Sequence, residues 1–320
     1  MTHEPIEHLT ENTDEHSRIQ FDDLDEDMLA SISRSHGVDY ATRLLYDRAR
    51  KVPANQQLSK ELEALGAGGK LDAPFAAKVL IVPAMFYKEY PRYGGDGRVI
   101  KSAADTLGIP CQMIPLHSTG GIMSNAEVLG RAINSEPEEN IILVSLSKGG
   151  ADARVAFERG FIHPGKVKIW IQIAGIVHGT PLANHLAGNW WWRMLLKGYL
   201  RYRHAGHDLI NELCRGPKHL LRGRARAPEG VTVINIVGFP LRQHLSGSLV
   251  GRHKQLAKFG PNDGCILLRD SFVEPGFVLP IWGENHYFQN PDLSELMVKV
   301  LRHAAVNLLK REPMKLREAI

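Results

Sequence analysis

The pattern of apolar and polar positions divides the chain into two parts. Over residues 1–20 polar and charged side chains dominate without periodicity, which is typical of a flexible tail. From Phe21 to about Gly66 the apolar positions recur with helical spacing. One apolar face follows a predicted N-cap at Asp39 and consists of Tyr40, Ala41, Leu44 and Leu45. A glycine-rich stretch at 66–69 predicts a linker, so we place an acidic tail and an N-terminal helical extension in residues 1–75.

In residues 76–320 short apolar runs alternate with amphipathic segments. This alternation is typical of a parallel sheet covered by helices on both faces. Six runs are predicted as strands: Lys78–Pro83, Cys111–Pro115, Ile141–Ser145, Lys168–Ile173, Val231–Val237 and Gly276–Trp282. A capping box of Ser124 with Glu127 predicts the start of one helix, and Asn290 with Pro291 predicts the start of the last helix.

A long segment, roughly 177–230, separates the fourth predicted strand from the fifth. An insertion of this length commonly forms a cap over a site, so we predict a helical cap at about 178–230. Its stretch 189–202 is rich in aromatic residues, and it carries a basic stripe at Arg193, Lys197 and Arg201. The candidate substrate or cap residues are Trp190, Trp191 and Tyr199.

Two compatible roles remain open for this stretch. A basic amphipathic helix favours peripheral contact with an anionic membrane surface, whereas a plain cap helix packs its apolar face over the sheet. The same stretch could also line an acyl-chain pocket, or bind acidic groups on the substrate. Basic residues continue through 215–226 without interleaved aromatic residues, so no nucleic-acid partner is predicted.

Composition and charge restrict the class of protein. The chain is 43% hydrophobic and 23% charged, with a formal net charge of +4, which is ordinary for a globular protein. Residues 1–30 carry ten acidic side chains against only Arg18, and this excludes a secretory signal at that position. The three cysteines are widely spaced without a CxxC motif, so neither a disulfide framework nor a zinc site is indicated. We therefore predict a cytoplasmic location.

The third predicted strand leads into a candidate nucleophile, Ser147. Strand, tight turn and helix follow one another here, which is the context of a nucleophile elbow that raises the serine hydroxyl above the sheet. Small residues are needed two positions before and after the nucleophile, and Ser145 and Gly149 meet that need. Ser145 as the nucleophile would lose this spacing, so Ser147 is favoured. The alternative is a simple Ser/Gly-rich turn. The backbone N–H of Lys148 is the predicted first oxyanion donor.

The segment Ser145-Leu146-Ser147-Lys148-Gly149-Gly150 resembles the elbow of bacterial lipases and esterases of the α/β-hydrolase superfamily. The resemblance extends over roughly residues 76–320, with serine in place of the first glycine of the usual motif. It implies an α/β-hydrolase fold with a mostly parallel sheet of about six strands, an inserted cap, and neither metal nor cofactor. It also implies a catalytic triad in the chain order Ser, acid, His.

This resemblance identifies the other two members of the triad. The acid is expected after the fifth strand, where a Gly-Pro-Asn-Asp-Gly turn contains Asp263. The histidine is expected after the last strand, where the loop contains His286. An imidazole can take the serine proton, and a carboxylate can hold the imidazole in the required tautomer. Reserve acids are Asp270 and Glu284, and weaker choices of base are His178 and His244.

The resemblance also implies that the loop after the first strand supplies the second oxyanion donor, which by position is the backbone N–H of Met85. Together these features predict a carboxylic ester hydrolase that acts on lipid-like or other hydrophobic acyl esters through an acyl-enzyme. Two alternatives remain: acyl transfer to an acceptor other than water, and a non-catalytic lipid-binding or scaffolding protein on the same fold.

Overall fold

The computed structural model describes residues 16, 18–71, 77–190, 198, 209–290 and 292–308. It confirms a six-stranded sheet in which every pairing is parallel, with the strand order β2-β1-β3-β4-β5-β6. The strands are β1 (Lys78–Val82), β2 (Cys111–Met113), β3 (Ile141–Leu146), β4 (Val167–Ile173), β5 (Thr232–Phe239) and β6 (Phe277–Trp282). Each of them overlaps one of the six apolar runs.

The strand order contains one reversal, between β1 and β3. The chain first moves outward from β1 to β2, then returns to place β3 on the other side of β1. The connections that follow β1 and β3 therefore leave the carboxyl ends of these neighbouring strands in opposite directions, and a crevice forms between them. The loops that follow β1 and β3 meet in this crevice.

Ten α-helices lie among the described residues. They are α1 (Glu26–His36), α2 (Val38–Lys51), α3 (Pro53–Glu63), α4 (Arg98–Leu107), α5 (Ile122–Asn134), α6 (Lys148–Glu158), α7 (Pro181–Gly188), α8 (Leu209–Glu212), α9 (Ser248–Leu256) and α10 (Leu293–His303). Helices cover both faces of the sheet. Successive residues of a strand point to opposite faces, so alternate residues pack against different helices. Leu80 and Val82 pack with α5 and α6, whereas Val79 and Ile81 pack with α3, α4 and α10.

The first two helices cover the β5–β6 edge of the sheet. Leu29 of α1 and Leu45 of α2 share a buried cluster with Phe239 of β5. Asn55 of α3 closes part of the open edge of β6, since its Oδ1 accepts the Val278 N–H at 2.8 Å. An edge strand otherwise exposes unpaired N–H groups that could pair with another strand. The Asn55 side chain occupies one of these groups.

Helix starts differ from the sequence predictions. The N-cap of α2 is Gly37, not Asp39, because Gly37 (φ 91°) both ends α1 and begins α2. Asp39 lies inside the first turn, and its Oδ1 accepts the distant Arg242 N–H at 3.1 Å. The N-cap prediction was therefore wrong by two residues.

The start of α5 is set by a residue far away in the sequence. The helix begins at Ile122, so Ser124 lies within its first turn and the predicted capping box was wrong. Instead, Glu212 Oε2 accepts the Ile122 N–H at 2.5 Å and satisfies one of the free amides of this helix end. The last helix begins at Leu293, and the side chain of Asn290 accepts the N–H of Asp292 just before it.

The inserted segment between β4 and β5 is anchored at its base. Arg154 of α6 donates to the carbonyl oxygens of Val177, Leu221 and Arg222 at 2.5, 3.2 and 2.8 Å. Trp191, Tyr199 and the basic stripe of the predicted cap helix lie outside the described residues. No described helix is both long and apolar enough to cross a membrane.

Candidate active site

Ser147 occupies the sharp turn between β3 and α6. Its backbone lies at φ 48° and ψ −116°, a conformation that non-glycine residues rarely adopt. Three backbone hydrogen bonds hold it there: its N–H donates to Ile173 O at 2.9 Å, and its carbonyl accepts the N–H groups of Gly150 and Ile176 at 2.9 and 3.0 Å. Strain of this kind persists when surrounding bonds over-determine the turn, and it is common at functional sites.

The two small residues around Ser147 have separate structural reasons. A Cβ on Gly149 would lie 2.6 Å from Val82 O and 2.9 Å from Pro83 O, so only glycine fits there without displacing backbone. Ser145 is fully buried, and its Oγ accepts the indole N–H of Trp170 at 2.8 Å. A serine is therefore accommodated where the usual motif has glycine, and its hydroxyl is already engaged.

The three predicted triad residues meet in one chain of hydrogen bonds. Ser147 Oγ lies 2.8 Å from His286 Nε2, and His286 Nδ1 lies 2.7 Å from Asp263 Oδ2. An ionised carboxylate only accepts, so Nδ1 carries the proton and Nε2 can accept the serine hydroxyl. Asp263 Oδ1 accepts the N–H groups of Cys265 and Ile266 at 2.8 and 2.9 Å, which orients the carboxylate.

The reserve acids have other partners. Asp270 is buried and forms an ion pair with Arg215 at 2.6 Å, so it joins the base of the inserted segment to the sheet domain. Glu284 is buried beside the histidine loop, and that burial raises the pKa of its carboxyl. Neither makes the hydrogen bond to His286 that Asp263 makes.

The alternative histidines are bound to backbone groups. His178 lies 2.7 Å through Nδ1 from Asp270 O, and its Nε2 accepts the Ala225 N–H at 2.9 Å. Burial lowers the pKa of His178, so its neutral form is favoured. His244 Nδ1 accepts the Leu241 N–H at 3.0 Å. Both imidazoles therefore hold loops in place.

Two backbone amides are available beside Ser147. After β1, the Ala84 N–H donates to Gly95 O and the Phe86 N–H donates to Ser118 O, at 2.8 and 3.1 Å. The intervening Met85 N–H has no backbone acceptor among the described residues. The Lys148 N–H is the first of α6, and the first amides of a helix have no acceptor within the helix.

The side chain of Lys148 forms a buried ion pair that sequence reasoning missed. Its Nζ donates to both carboxylate oxygens of Asp152 at 2.6 and 2.9 Å, and both side chains are about 2% exposed. Asn125 donates a further hydrogen bond to this carboxylate at 3.2 Å. The spacing of four residues on the helix after the nucleophile was a usable signal for the pair.

The described residues include one group whose atoms could share a metal ion: Asp263, Cys265 and His286. Their ligand atoms lie within 4.8 Å of one another. Burial, together with the nearby Asp263, raises the pKa of the Cys265 thiol to about 12. The direct bond between Asp263 and His286 also occupies both ligands. The arrangement is that of an acid–base pair.

Ser147 and His286 open into a cavity of about 850 Å³. Most of its walls are apolar or aromatic, and residues of the inserted segment such as Leu182 and Ile210 form one side. Met85 also lines this cavity, whereas Trp190 does not and is 62% exposed. Its size and largely apolar lining are typical of pockets that bind small organic molecules.

The fold can be compared with known structures. No protein-family model matches this sequence, and no curated protein matches it either. The structure is similar to that of the metagenomic carboxyl esterase MGS0156, with a TM-score of 0.57 and 16% identity over 80% of this chain and 90% of that one. The chain has the α/β-hydrolase fold.

Other α/β-hydrolase structures resemble it to a similar degree. The lipase BlEst2 from Bacillus licheniformis, in its mature form, matches with a TM-score of 0.53 and 18% identity over 74% of this chain and 93% of that one. The phospholipase PlaB from Legionella pneumophila matches with a TM-score of 0.50 and 12% identity, over 76% and 60% of the two chains. Within this α/β-hydrolase fold, Ser147 follows β3 at the reversal of strand order.

Proposed function

We propose that the protein is a serine hydrolase that cleaves carboxylic esters of hydrophobic acyl groups. The observation that carries this proposal is the continuous hydrogen-bonded chain Ser147–His286–Asp263, which ends at a strained serine facing an apolar cavity. The similar folds of a carboxyl esterase and a lipase support ester chemistry. Neither a metal nor a cofactor is required for it.

The geometry suits nucleophilic catalysis by Ser147. Its Oγ attacks the ester carbonyl carbon while His286 Nε2 takes the hydroxyl proton, and Asp263 stabilises the imidazolium that forms. The amides of Met85 and Lys148 donate to the oxyanion. The Lys148 amide is fixed at the start of α6, and hydrogen bonds of Ala84 and Phe86 hold the Met85 loop, so these donors need no reorganisation as charge develops.

Collapse of the tetrahedral intermediate breaks the bond to the alcohol oxygen. His286 returns its proton to that oxygen, and the alcohol leaves an acyl group on Ser147. Water then attacks the acyl-enzyme with His286 as general base, which releases the carboxylic acid and restores the serine. An alcohol entering in place of water would instead give acyl transfer.

Labelling with a fluorophosphonate tests the proposal, because the reagent phosphonylates an activated serine. We expect labelling of the full chain at Ser147, none in Ser147→Ala, and retained labelling in Ser145→Ala, the matched control two residues away. Hydrolysis of 4-nitrophenyl butyrate should disappear with the label. Removing the nucleophile of such a triad lowers kcat by about 10⁶-fold.

Labelling that survives Ser147→Ala would contradict the assignment of the nucleophile. If the wild-type chain neither takes the label nor hydrolyses short or long acyl esters, the fold instead serves a non-catalytic protein that binds lipid-like molecules.

A further inference from the structure

One face of α9 carries polar side chains toward the cavity. Ser248, Arg252 and Gln255 are spaced four and three residues apart, so they lie on the same side of the helix. All three line the cavity that contains Ser147, and all three are exposed at its rim. Other positions of the helix, Leu249, His253 and Leu256, are buried in the protein.

Arg252 is held close to the proposed catalytic groups. Its Nη1 lies 3.8 Å from Cys265 Sγ, and that sulfur lies within 4.8 Å of the ligand atoms of Asp263 and His286. Tyr287, the residue after His286, also interacts electrostatically with this guanidinium. Cys265, close to Asp263, and Tyr287, next to His286, therefore lie beside the Arg252 guanidinium.

Among the described residues, no carboxylate neutralises the charge of Arg252. No Asp or Glu is among the described residues that line the cavity, and Arg252 is the only Lys or Arg there. It takes part in no ion pair within the described part of the chain, whereas Arg215 and Arg269 each pair with a carboxylate. A concave site that carries one sign of charge attracts ligands of the opposite sign.

The remainder of the cavity is different in character. Val99 and Ile100 of α4 and Leu293 and Met297 of α10 provide an apolar wall without charged groups. An acyl chain gains free energy by entering this part, while a charged group would lose its hydration there. The cavity therefore has an apolar part and a cationic rim, and Ser147 opens into the same space.

We infer that the substrate is an amphiphilic ester whose alcohol portion bears an anionic group, a carboxylate or a phosphate, which Arg252 binds at the rim. Ser248 and Gln255 add neutral hydrogen-bond donors on either side of the guanidinium. A planar guanidinium can donate two parallel hydrogen bonds to such an oxyanion. This inference rests on the proposed ester hydrolysis, and it assigns a specificity-determining role to α9.

Three esters on one glycerol frame test it: 1-butyrylglycerol, which is neutral, its 3-phosphate, and the butyryl ester of glyceric acid. The quantity measured is the ratio of kcat/KM for each anionic ester to that for the neutral one, with active sites counted by fluorophosphonate labelling. We expect a ratio above one in the wild-type chain and a fall of about tenfold in Arg252→Gln. Arg252→Lys should lie between the two, since it keeps the charge without the planar pair of donors.

Lys254→Ala is the matched control, because it removes one positive charge from the same helix at an exposed position outside the cavity. Its ratio should equal that of the wild type. A preference for the phosphate ester alone, or for the carboxylate ester alone, supports the inference and identifies the anion.

A wild-type ratio of one, a ratio that Arg252→Gln leaves unchanged, or an equal loss in Lys254→Ala would overturn it. In these cases hydrolysis of all three esters by Ser147 would leave the proposed function intact. Failure to hydrolyse any ester, together with a lack of labelling, would overturn both.

Discussion

The indole Nε1–H of Trp170 donates a hydrogen bond of 2.8 Å to Ser145 Oγ, two residues before the candidate nucleophile. Both side chains are buried, so neither could bond to water if the other were removed. We expect Ser145→Ala to lower the free energy of unfolding by about 1–3 kcal/mol, the cost of one unsatisfied buried donor. Urea unfolding measures this change.

Trp170→Phe in the Ser145→Ala background provides the control, since it removes the orphaned indole N–H. The double variant should lose less than the sum of the two single variants. If the losses of unfolding free energy in the two single variants add up to that of the double variant, the two side chains do not stabilise each other.

Asp263 is expected to act through the orientation of His286. In Asp263→Asn an amide replaces the carboxylate that accepts the Nδ1 proton, so the imidazole can adopt the tautomer that no longer accepts from Ser147. We expect kcat for 4-nitrophenyl butyrate to fall by about 10⁴-fold while the fold remains intact. Asp270→Asn, at the reserve acid, should retain far more activity per folded molecule. Equal losses in the two variants would argue against Asp263 as the acid.

Gly149 allows α6 to approach β1 closely. In Gly149→Ala the new Cβ would lie 2.6 Å from Val82 O, so the end of β1 and the following loop with Met85 must move. Because the proposed oxyanion donors would move with this loop, we expect kcat to fall by about a hundredfold.

Gly251→Ala is the matched control, because its Cβ would have no atom within 4 Å. Steady-state hydrolysis of the butyrate ester distinguishes the two variants. Wild-type kcat in Gly149→Ala would show that the close contact is irrelevant to the site.

The Lys148–Asp152 pair is buried beneath the nucleophile turn. Asp152→Leu leaves the Lys148 ammonium buried without a counter-charge, and we expect it to lower the free energy of unfolding by about 3–5 kcal/mol. The double variant Lys148→Met/Asp152→Leu removes both charges and should recover most of that loss. Chemical denaturation of the single and double variants checks this. A double variant as unstable as the single would mean that the pair acts through shape alone.

His178 makes stability depend on pH. Burial lowers its pKa from the ordinary value of 6.5, so below that value the unfolded chain binds more protons than the folded one. Its contribution to the free energy of unfolding is therefore complete above about pH 6.5 and is lost as the pH falls through the lower, folded pKa. We expect His178→Gln to lose less stability than the wild type between about pH 7.5 and 5.5 in urea titrations. If the free energy of unfolding changes with pH in the same way in the wild type and in His178→Gln, this prediction is contradicted.

Sequence patterns predicted the strands better than the helix ends. Strands buried on both faces appear as continuous apolar runs, so all six were found within about two residues. Helix starts depend on whichever group satisfies the first free amides. For α5 that group is Glu212, ninety residues from Ile122, and no local pattern could indicate it.

The candidate triad was predictable because its geometry is linked to chain order. In the α/β-hydrolases that the chain resembles, the triad follows the order Ser, acid, His, so Ser147, Asp263 and His286 could be named from their places after β3, β5 and β6. The sequence could not show that Ser145 bonds to Trp170, that Lys148 pairs with Asp152, or that Arg252 faces the cavity.

The sequence by itself determined the parallel α/β architecture and the residue types that come after each strand, because these follow from local periodicity and order. Tertiary structure alone decided which titratable groups touch. Asp263 reaches His286 and Asp270 reaches Arg215 through contacts of 2.7 and 2.6 Å between distant parts of the chain. Hydrogen bonds form only over such distances, so the choice between two candidate acids depends on packing that no linear pattern contains.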